Sequence, residues 1–412
     1  MKIWLINHYA VPPQYYPLAR PALFAKNLIK MGHDVTIIAA STVHNSDLNL
    51  ITDNSSVKRE IVDGVPYLYV RCSGYRGNGV KRAFNILEFA AKLPGICGKL
   101  ERPDAIVATS FDPISCFRAI KYAKKHGIKA VAEIADLWPE TLVAYTSLTA
   151  KNPIVRALRR IEREIYTTAD AIVFTIGGGY DYIKDQGWES IVPKEKVFHI
   201  NNGIDLEEFD LNRDSFLTDD PDLNDPDLFK VIYTGAIRHV NNVSGILDVA
   251  KKISSPAIKF LIWGDGDELT KLKQRVADED ISNVVFKGKV AKKYIPAIVS
   301  RADLNYAHNS PSPLFRYGIS FNKIFDYLAA GKPVLCDFRA NYNPVVTANA
   351  GAAVESAEPS DIARAIEGFA AMEREKYAAY CENARRAAEE YDFKELSKKL
   401  LEAISYSPER QD

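Results

Sequence analysis

The stretch YGISFNKIFDYLAAGKPV, Tyr317–Val334, determines how the second half of the chain reads. It opens in a polar loop around Ser320 and Asn322, and a helix is expected to begin near Phe321. Gly331 ends that helix and Pro333 starts a strand, because glycine accepts the left-handed backbone that closes a helix and proline resists continuing one. A helix start presents unpaired N–H groups and the positive end of the peptide dipoles, so the loop is a candidate seat for a diphosphate. Lys323 adds a cation there. Asp326 offers a carboxylate able to accept hydrogen bonds from both hydroxyls of a ribose diol. A plain capped helix with an acid near its start would use the same residues.

Upstream of this block, Val231–Thr234, Lys259–Trp263, Val284–Lys287 and Asp303–Tyr306 read as strands, with helical stretches between them and a last strand at Pro333–Cys336. The first half repeats the alternation at Ile3–Asn7, Val35–Ala39, Ala105–Thr109, Lys129–Ile134, Ala171–Thr175 and Val197–Ile200. These runs are near-continuously apolar, as parallel strands covered on both faces are. Helices are expected at Pro21–Met31, closed by Gly32, and at Pro153–Thr168. The fold class is therefore α/β, with two doubly wound sheets. Asp205–Asp227, rich in Asp, Asn and Pro, reads as the linker. Domains are expected at 1–205, completed by 393–412, and at 206–392. Glu373–Tyr406 reads as two amphipathic helices broken near Tyr391-Asp392. Open α/β sheets hold ligands at the carboxyl ends of their strands, so a cleft between the domains is the expected site.

Composition narrows the function classes. A chain of 412 residues is too long for one ordinary core. Its 47% hydrophobic and 26% charged residues are those of a soluble globular protein. A formal net charge of zero gives no sign of a nucleic-acid partner. Residues 1–205 nevertheless carry 26 Lys and Arg against 20 Asp and Glu, leaving 27 against 33 for the remainder. The basic half suits an anionic acceptor or membrane surface, although a solvated surface produces such an excess too. Five scattered cysteines without a C-x-x-C pair argue against a zinc site or a disulfide framework. Met1–Ile6 leads straight into a strand pattern rather than a signal peptide, and no apolar run has membrane-spanning length, so a cytoplasmic location is expected. No G-x-G-x-x-G follows the first strand, which disfavours a nicotinamide-dependent dehydrogenase.

With these elements in place, Tyr317–Val334 resembles the donor-binding signature of the retaining glycosyltransferases of family 4, which have the GT-B architecture. It is closest to a bacterial surface-polysaccharide subgroup that includes N-acetylfucosamine transferases and reads S-P-N-K-x-F-D/E-Y-M/L-A-A-G-K-P. Supporting segments follow in order: Gly32-His33-Asp34-Val35-Thr36, Asp136-Leu137-Trp138-Pro139-Glu140, Asn202-Gly203-Ile204-Asp205, Tyr233-Thr234-Gly235, Gly264-Asp265-Gly266 and Phe286-Lys287-Gly288-Lys289-Val290. Each is weak alone. Their order and spacing over nearly the whole chain are specific.

The resemblance implies two Rossmann-like domains facing across a cleft, with a C-terminal helix crossing back to the first. It places Asp326 on the donor ribose. Ser320, Asn322 and Lys323 fall about the diphosphate, Gly318 and Ile324 elsewhere in the donor site, and Gly264, Gly266, Lys289 and Val290 about the nucleobase. Arg238 falls where the family places a phosphate-binding base, and Asp136 where many relatives have a His near the reacting sugar. Tyr15, Tyr16, Trp138 and Glu140 fall on the acceptor side. The chain departs from the pattern at Gly318, where relatives carry an acid, and at Tyr9–Pro17, which replaces a glycine pair.

Such a transfer needs no metal or cofactor. The helix start, Arg238 and Lys323 would neutralise the leaving diphosphate, with Asp136 orienting the sugar or capping the following helix. The implied reaction moves a hexosyl or N-acetylhexosaminyl group from a nucleotide sugar, with UDP favoured, to a glycan or a polyprenyl-diphosphate-linked acceptor. Lys81–Leu93, an amphipathic helix with basic ends, would touch the inner face of the membrane or pack as an ordinary helix. The basic cluster at Arg156, Arg159, Arg160 and Arg163 reads mostly as a solvated face. A nucleotide-sugar epimerase and a non-catalytic sugar-nucleotide-binding protein remain the alternatives.

Overall fold

The computed structural model describes residues 1–15, 19–77 and 79–407. They fall into two compact units, one of residues 1–201 with the last segment from Phe393 onward, the other Asn202–Asp392.

The first unit is built on eight strands: β1 (Lys2–Ile6), β2 (Asp34–Ala40), β3 (Val57–Val62), β4 (Val65–Val70), β5 (Ala105–Thr109), β6 (Lys129–Ile134), β7 (Ala171–Phe174) and β8 (Val197–His199). Their order in the sheet is β3-β4-β2-β1-β5-β6-β7-β8. All neighbours are parallel except β3 against β4. The β3–β4 hairpin is absent from the sequence reading. Its turn is Asp63-Gly64, with φ of 50° and 77°, the left-handed pair that a two-residue hairpin loop needs. The helix Arg20–Lys30 packs on β2 and β4 and the helix Phe393–Ser405 on β6 and β7, and the two helices meet where Phe24 lies edge to face with Phe393 at 5.2 Å. Phe24, Leu28, Leu396 and Leu400 share one buried cluster with Ile3, Leu5 and Ile37.

A buried ion pair joins Arg20 and Glu133 in the same unit. Arg20 bonds Glu133 Oε1 through Nε at 2.9 Å and the carbonyls of Asn201 and Ile200 at 2.6 and 2.9 Å. Glu133 Oε2 accepts from the Thr109 hydroxyl at 2.8 Å. Full hydrogen bonding is what makes a buried ion pair tolerable.

The second unit carries β9 (Phe229–Thr234), β10 (Ile258–Trp263), β11 (Val284–Gly288), β12 (Leu304–Ala307), β13 (Val334–Cys336) and β14 (Gly351–Ala353). Their order is β11-β10-β9-β12-β13-β14, all parallel. The three-residue β14 was too short for its pattern to register. The helix Asn322–Ala329 buries Ile324, Phe325, Tyr327 and Leu328. The Tyr327 hydroxyl accepts from the Thr234 N–H at 2.9 Å, which ties the helix to the end of β9.

The linker expected at Asp205–Asp227 is instead folded onto this unit. It forms the helices Leu206–Ser215 and Pro221–Asn224, with Leu206, Phe209 and Leu223 buried. Its Asp-rich composition reflects capping: Asp205 accepts from the Glu208 N–H and Asp220 from the Leu223 N–H. Lys287 pairs with both Asp220 and Asp222.

Candidate functional site

In the second sheet the strand order turns back on either side of β9, which makes the carboxyl ends of β9 and β12 the switch point where open α/β sheets hold ligands. The loops there are packed backbone on backbone. Gly235 N–H bonds Trp263 O, Ile237 N–H bonds Asp265 O and Gly264 N–H bonds Gly288 O, all at 2.9–3.0 Å. A Cβ on Gly264 would stand 1.8 Å from Gly235 O, and one on Gly266 would stand 2.0 Å from Ile237 O. Their direct role is thus to let the loops after β9 and β10 touch. Lys289 is exposed beyond β11, and Val290 packs partly against the cluster of Leu223, Leu261 and Trp263.

The loop after β9 presents Arg238. Its side chain is exposed and forms no hydrogen bond or ion pair among the described residues. Asn241 holds the loop, donating from Nδ2 to Ala236 O at 2.6 Å and from its N–H to Arg238 O at 2.9 Å. Lys323, in the first turn of the 322–329 helix, puts its ammonium 4.2 Å from the centre of the Tyr233 ring. The same Nζ lies 3.3 Å from where a Cβ on Gly235 would stand, so Lys323 reaches the root of the Arg238 loop. Burial pushes its pKa down to about 8, opposed by the negative charge of Asp337.

The start of the 322–329 helix has no side-chain cap, which leaves first-turn N–H groups for a ligand. Asn322 is exposed at its first position. Ser320 is already engaged, its hydroxyl accepting from Asn202 N–H at 2.9 Å and its carbonyl from Asn202 Nδ2 at 2.7 Å. Ile324 belongs to the core instead: its side chain is fully buried and its N–H bonds Phe321 O. Gly318 is buried with φ of 110°, a conformation that penalises any side chain, so the absent acid is matched by the backbone here. Burial pushes the Asp326 carboxyl up to about 6, against a pull from Lys292. It forms no side-chain hydrogen bond among the described residues, as suits a group awaiting a polar ligand.

The second-unit site also contains a group the sequence reading missed. His308, just after β12, contacts the Asp337 carboxylate through Nδ1 and Asn242 O through Nε2 at 2.6 Å. Asp337, just after β13, also accepts from the Tyr306 hydroxyl at 2.6 Å. The available signal was a histidine directly after an apolar run.

The first sheet has its own switch point, at β1 and β5. His8, two residues past β1, is buried with no hydrogen-bond partner on either ring nitrogen among the described residues, and burial lowers its pKa to about 4. Asp112, after β5, caps the helix Pro113–Lys125 with one oxygen while the other is buried and unpaired. Burial pushes its pKa up to about 6. Asp136, after β6, lies at the solvent boundary, and desolvation pushes its carboxyl up to about 6 against the pull of Arg82. It caps no helix, since the helix Glu140–Tyr145 has Pro139 at its N-cap. Arg82 itself bonds the Tyr9 hydroxyl at 2.9 Å. Trp138 keeps a buried, unpaired indole N–H. Glu140 is instead ion-paired with Arg159, which also holds the buried Glu162. Arg159 is thus engaged by two carboxylates rather than part of a solvated face. Tyr15 is exposed, and Tyr16 lies outside the described residues.

A profile of the glycosyltransferase family 4 matches residues 22–208 and one of the glycosyl transferases group 1 matches 218–387. Together they cover most of both units. The chain carries the two domains of a GT-B glycosyltransferase. The probable glycosyltransferase WbjE of Pseudomonas aeruginosa is 23% identical over 265 residues, 62% of each chain, so the match spans less than two thirds of that relative. Among solved structures, Anabaena Alr3699/HepE in complex with UDP aligns over 98% of this chain and all of its own, with TM-score 0.67 and 14% identity. The E. coli trehalose-6-phosphate protein bound with UDP-2-fluoro glucose covers 99% and 100%, with TM-score 0.73 and 10% identity. At these identities the shared property is the fold.

In this GT-B chain, each sheet gathers its polar groups at its own switch point. The second unit brings Arg238, Lys323, Asn322 and the unsatisfied Asp326 about one helix start. The first gathers His8, Asp112 and Asp136, of which only Asp136 stood out in the sequence.

Proposed function

We propose that the chain is a retaining glycosyltransferase that uses a UDP-sugar and acts in surface-polysaccharide synthesis. The observation that carries this reading is the convergence of Lys323 and the Arg238 loop on the uncapped start of the 322–329 helix. Two cations and a helix start are a set of fixed positive groups for a diphosphate, and they act most strongly on the charge that grows as it leaves. The departing phosphate can then take the acceptor's proton while the new bond forms on the same face, so no protein nucleophile is required. Asp326 would hold the ribose. Asp136 and His8 would line the acceptor's side, with His8 neutral at physiological pH. The UDP bound to HepE and the UDP-2-fluoro glucose bound to the E. coli trehalose-6-phosphate protein favour uridine as the base.

A thermal-shift panel of UDP-, GDP-, ADP- and TDP-sugars, followed by assay of diphosphate release with glycan and polyprenyl-diphosphate acceptors, tests the reading. We expect stabilisation by a UDP-sugar and acceptor-dependent UDP release with the anomeric configuration kept. Isomer formation from donor alone would instead make the chain an epimerase. Binding without release would make it a non-catalytic sugar-nucleotide-binding protein.

The acceptor is proposed to be lipid-linked because the helix Val80–Cys97 leaves an apolar stripe uncovered. Val80, Phe84 and Leu87 are 87%, 59% and 51% exposed, and Lys81 flanks them. No helix of the described residues is long and apolar enough to cross a membrane, so contact would be peripheral. The chain is expected to float with vesicles containing anionic lipid at low salt. The triple change Val80→Ser, Phe84→Ser, Leu87→Ser should weaken that binding by roughly tenfold or more, given about 0.8 kcal/mol per buried methylene. Absence of flotation by the unaltered chain removes the membrane claim.

A further inference from the structure

The buried pair His308–Asp337 stands behind the loop that presents Arg238, and one of its hydrogen bonds fixes a proton on the ring. A carbonyl oxygen only accepts, so His308 Nε2, 2.6 Å from Asn242 O, must carry a hydrogen. Nδ1 faces the Asp337 carboxylate, whose contacting oxygen also receives the Tyr306 hydroxyl. The charged and titratable groups facing the ring are Asp337 and Tyr306 from the strand ends and Lys323 from the 322–329 helix. The pair is inaccessible, with His308 5% and Asp337 7% exposed.

The carbonyl that His308 grips is well placed to matter. Asn242 is left-handed, with φ of 48° and ψ of 41°, and it joins the single turn His239–Asn241 to the helix Val243–Ala250. Its carbonyl is held from two sides, by His308 and by Gly245 N–H at 2.8 Å. The turn it ends begins at Arg238, whose carbonyl accepts from Asn241 N–H. A Cβ on Gly245 would come within 3.0 Å of His308 Cε1, so the ring is closed in from that side as well. Asn242 is thus the rear anchor of the loop that presents Arg238, and His308 is the buried clamp on that anchor.

We propose that His308, braced by Asp337, is a positioning residue that sets the Arg238 loop for binding a nucleoside diphosphate. This rests on the donor reading above. Asp337 then serves both ends of the site, since its negative charge also favours the ammonium of Lys323. The exposed Arg238 side chain forms no hydrogen bond or ion pair among the described residues, so the backbone turn beneath it supplies the order.

The test is a double-mutant cycle read as the Kd for UDP, with the midpoint of unfolding recorded for every variant. With Arg238 present, His308→Phe is expected to weaken UDP binding about tenfold, whereas in an Arg238→Ala chain the same change should cost less than about twofold. His308→Gln keeps one donor for the Asn242 carbonyl and should fall between, and it carries the cycle if the Phe variant does not fold. Equal losses in both backgrounds, or undiminished UDP affinity in both His308 variants, would overturn the proposal while leaving the donor site standing. If instead the unaltered chain binds no UDP, or Arg238→Ala and Lys323→Ala both bind it normally, the donor reading itself falls and this inference with it.

Discussion

Replacing Arg238 or Lys323 by alanine is expected to lower kcat for sugar transfer by roughly a hundred- to a thousandfold, the cost of removing one fixed charge from a developing anion. The two variants should differ in every other respect. Arg238 is exposed and its side chain forms no hydrogen bond or ion pair among the described residues, so its loss should leave the unfolding midpoint unchanged. Lys323 lies over the Tyr233 ring against the root of the β9 loop, so its loss should also lower stability modestly. A pH series separates them further. Burial holds the Lys323 pKa near 8 in the absence of ligand, and a lysine is charged below its pKa. The apparent affinity of the free enzyme for donor should therefore decline as pH rises through about 8. In a Lys323→Arg chain the decline should vanish, because guanidinium keeps its proton there. Normal turnover by both alanine variants would remove the diphosphate site from this helix start.

Arg20→Leu is expected to destabilise the first unit by about 3–5 kcal/mol, since it strands a buried carboxylate. The guanidinium satisfies Glu133 and two carbonyls at once. Without it, Glu133 keeps only the Thr109 hydroxyl. Urea unfolding followed by a probe in the first unit gives the measurement. Adding Glu133→Gln to Arg20→Leu should recover a large part of the loss, because the amide carries no charge to desolvate. If the single variant is as stable as the parent, the pair is not the anchor that its geometry describes.

Neither residue announces itself in the sequence. Arg20 opens an amphipathic helix and reads as a surface residue, and Glu133 reads as one polar position in an apolar strand. Their partnership depends on a contact 113 positions apart. The parallel strands were legible because burial on both faces demands unbroken apolar runs such as Ala105–Thr109 and Lys129–Ile134. The β3–β4 hairpin was not, because Val57–Val62 faces solvent along much of its length and lacks that run. Its Asp63-Gly64 turn was the usable signal. The Asp-rich segment after Asp205 misled because capping and disorder favour the same residues. At the candidate site, the loop and helix around Ser320–Lys323 could be read from local chemistry. The neutral His8 and the His308–Asp337 pair could not, since a histidine's role is set by what the fold places beside it. Ile324 and Glu140 illustrate the reverse. Each sits among site residues in sequence, but one side chain turns into the core and the other into an ion pair with Arg159.

The helix Phe393–Ser405 has a consequence for biosynthesis. The first unit's apolar cluster draws on Phe24 and Leu28 from one end of the chain and on Phe393, Leu396 and Leu400 from the other. The second unit is one uninterrupted segment, Asn202–Asp392. The first unit therefore cannot close its interior from its own first 201 residues, and until Phe393–Ser405 docks it keeps an open greasy flank, a natural target for chaperones.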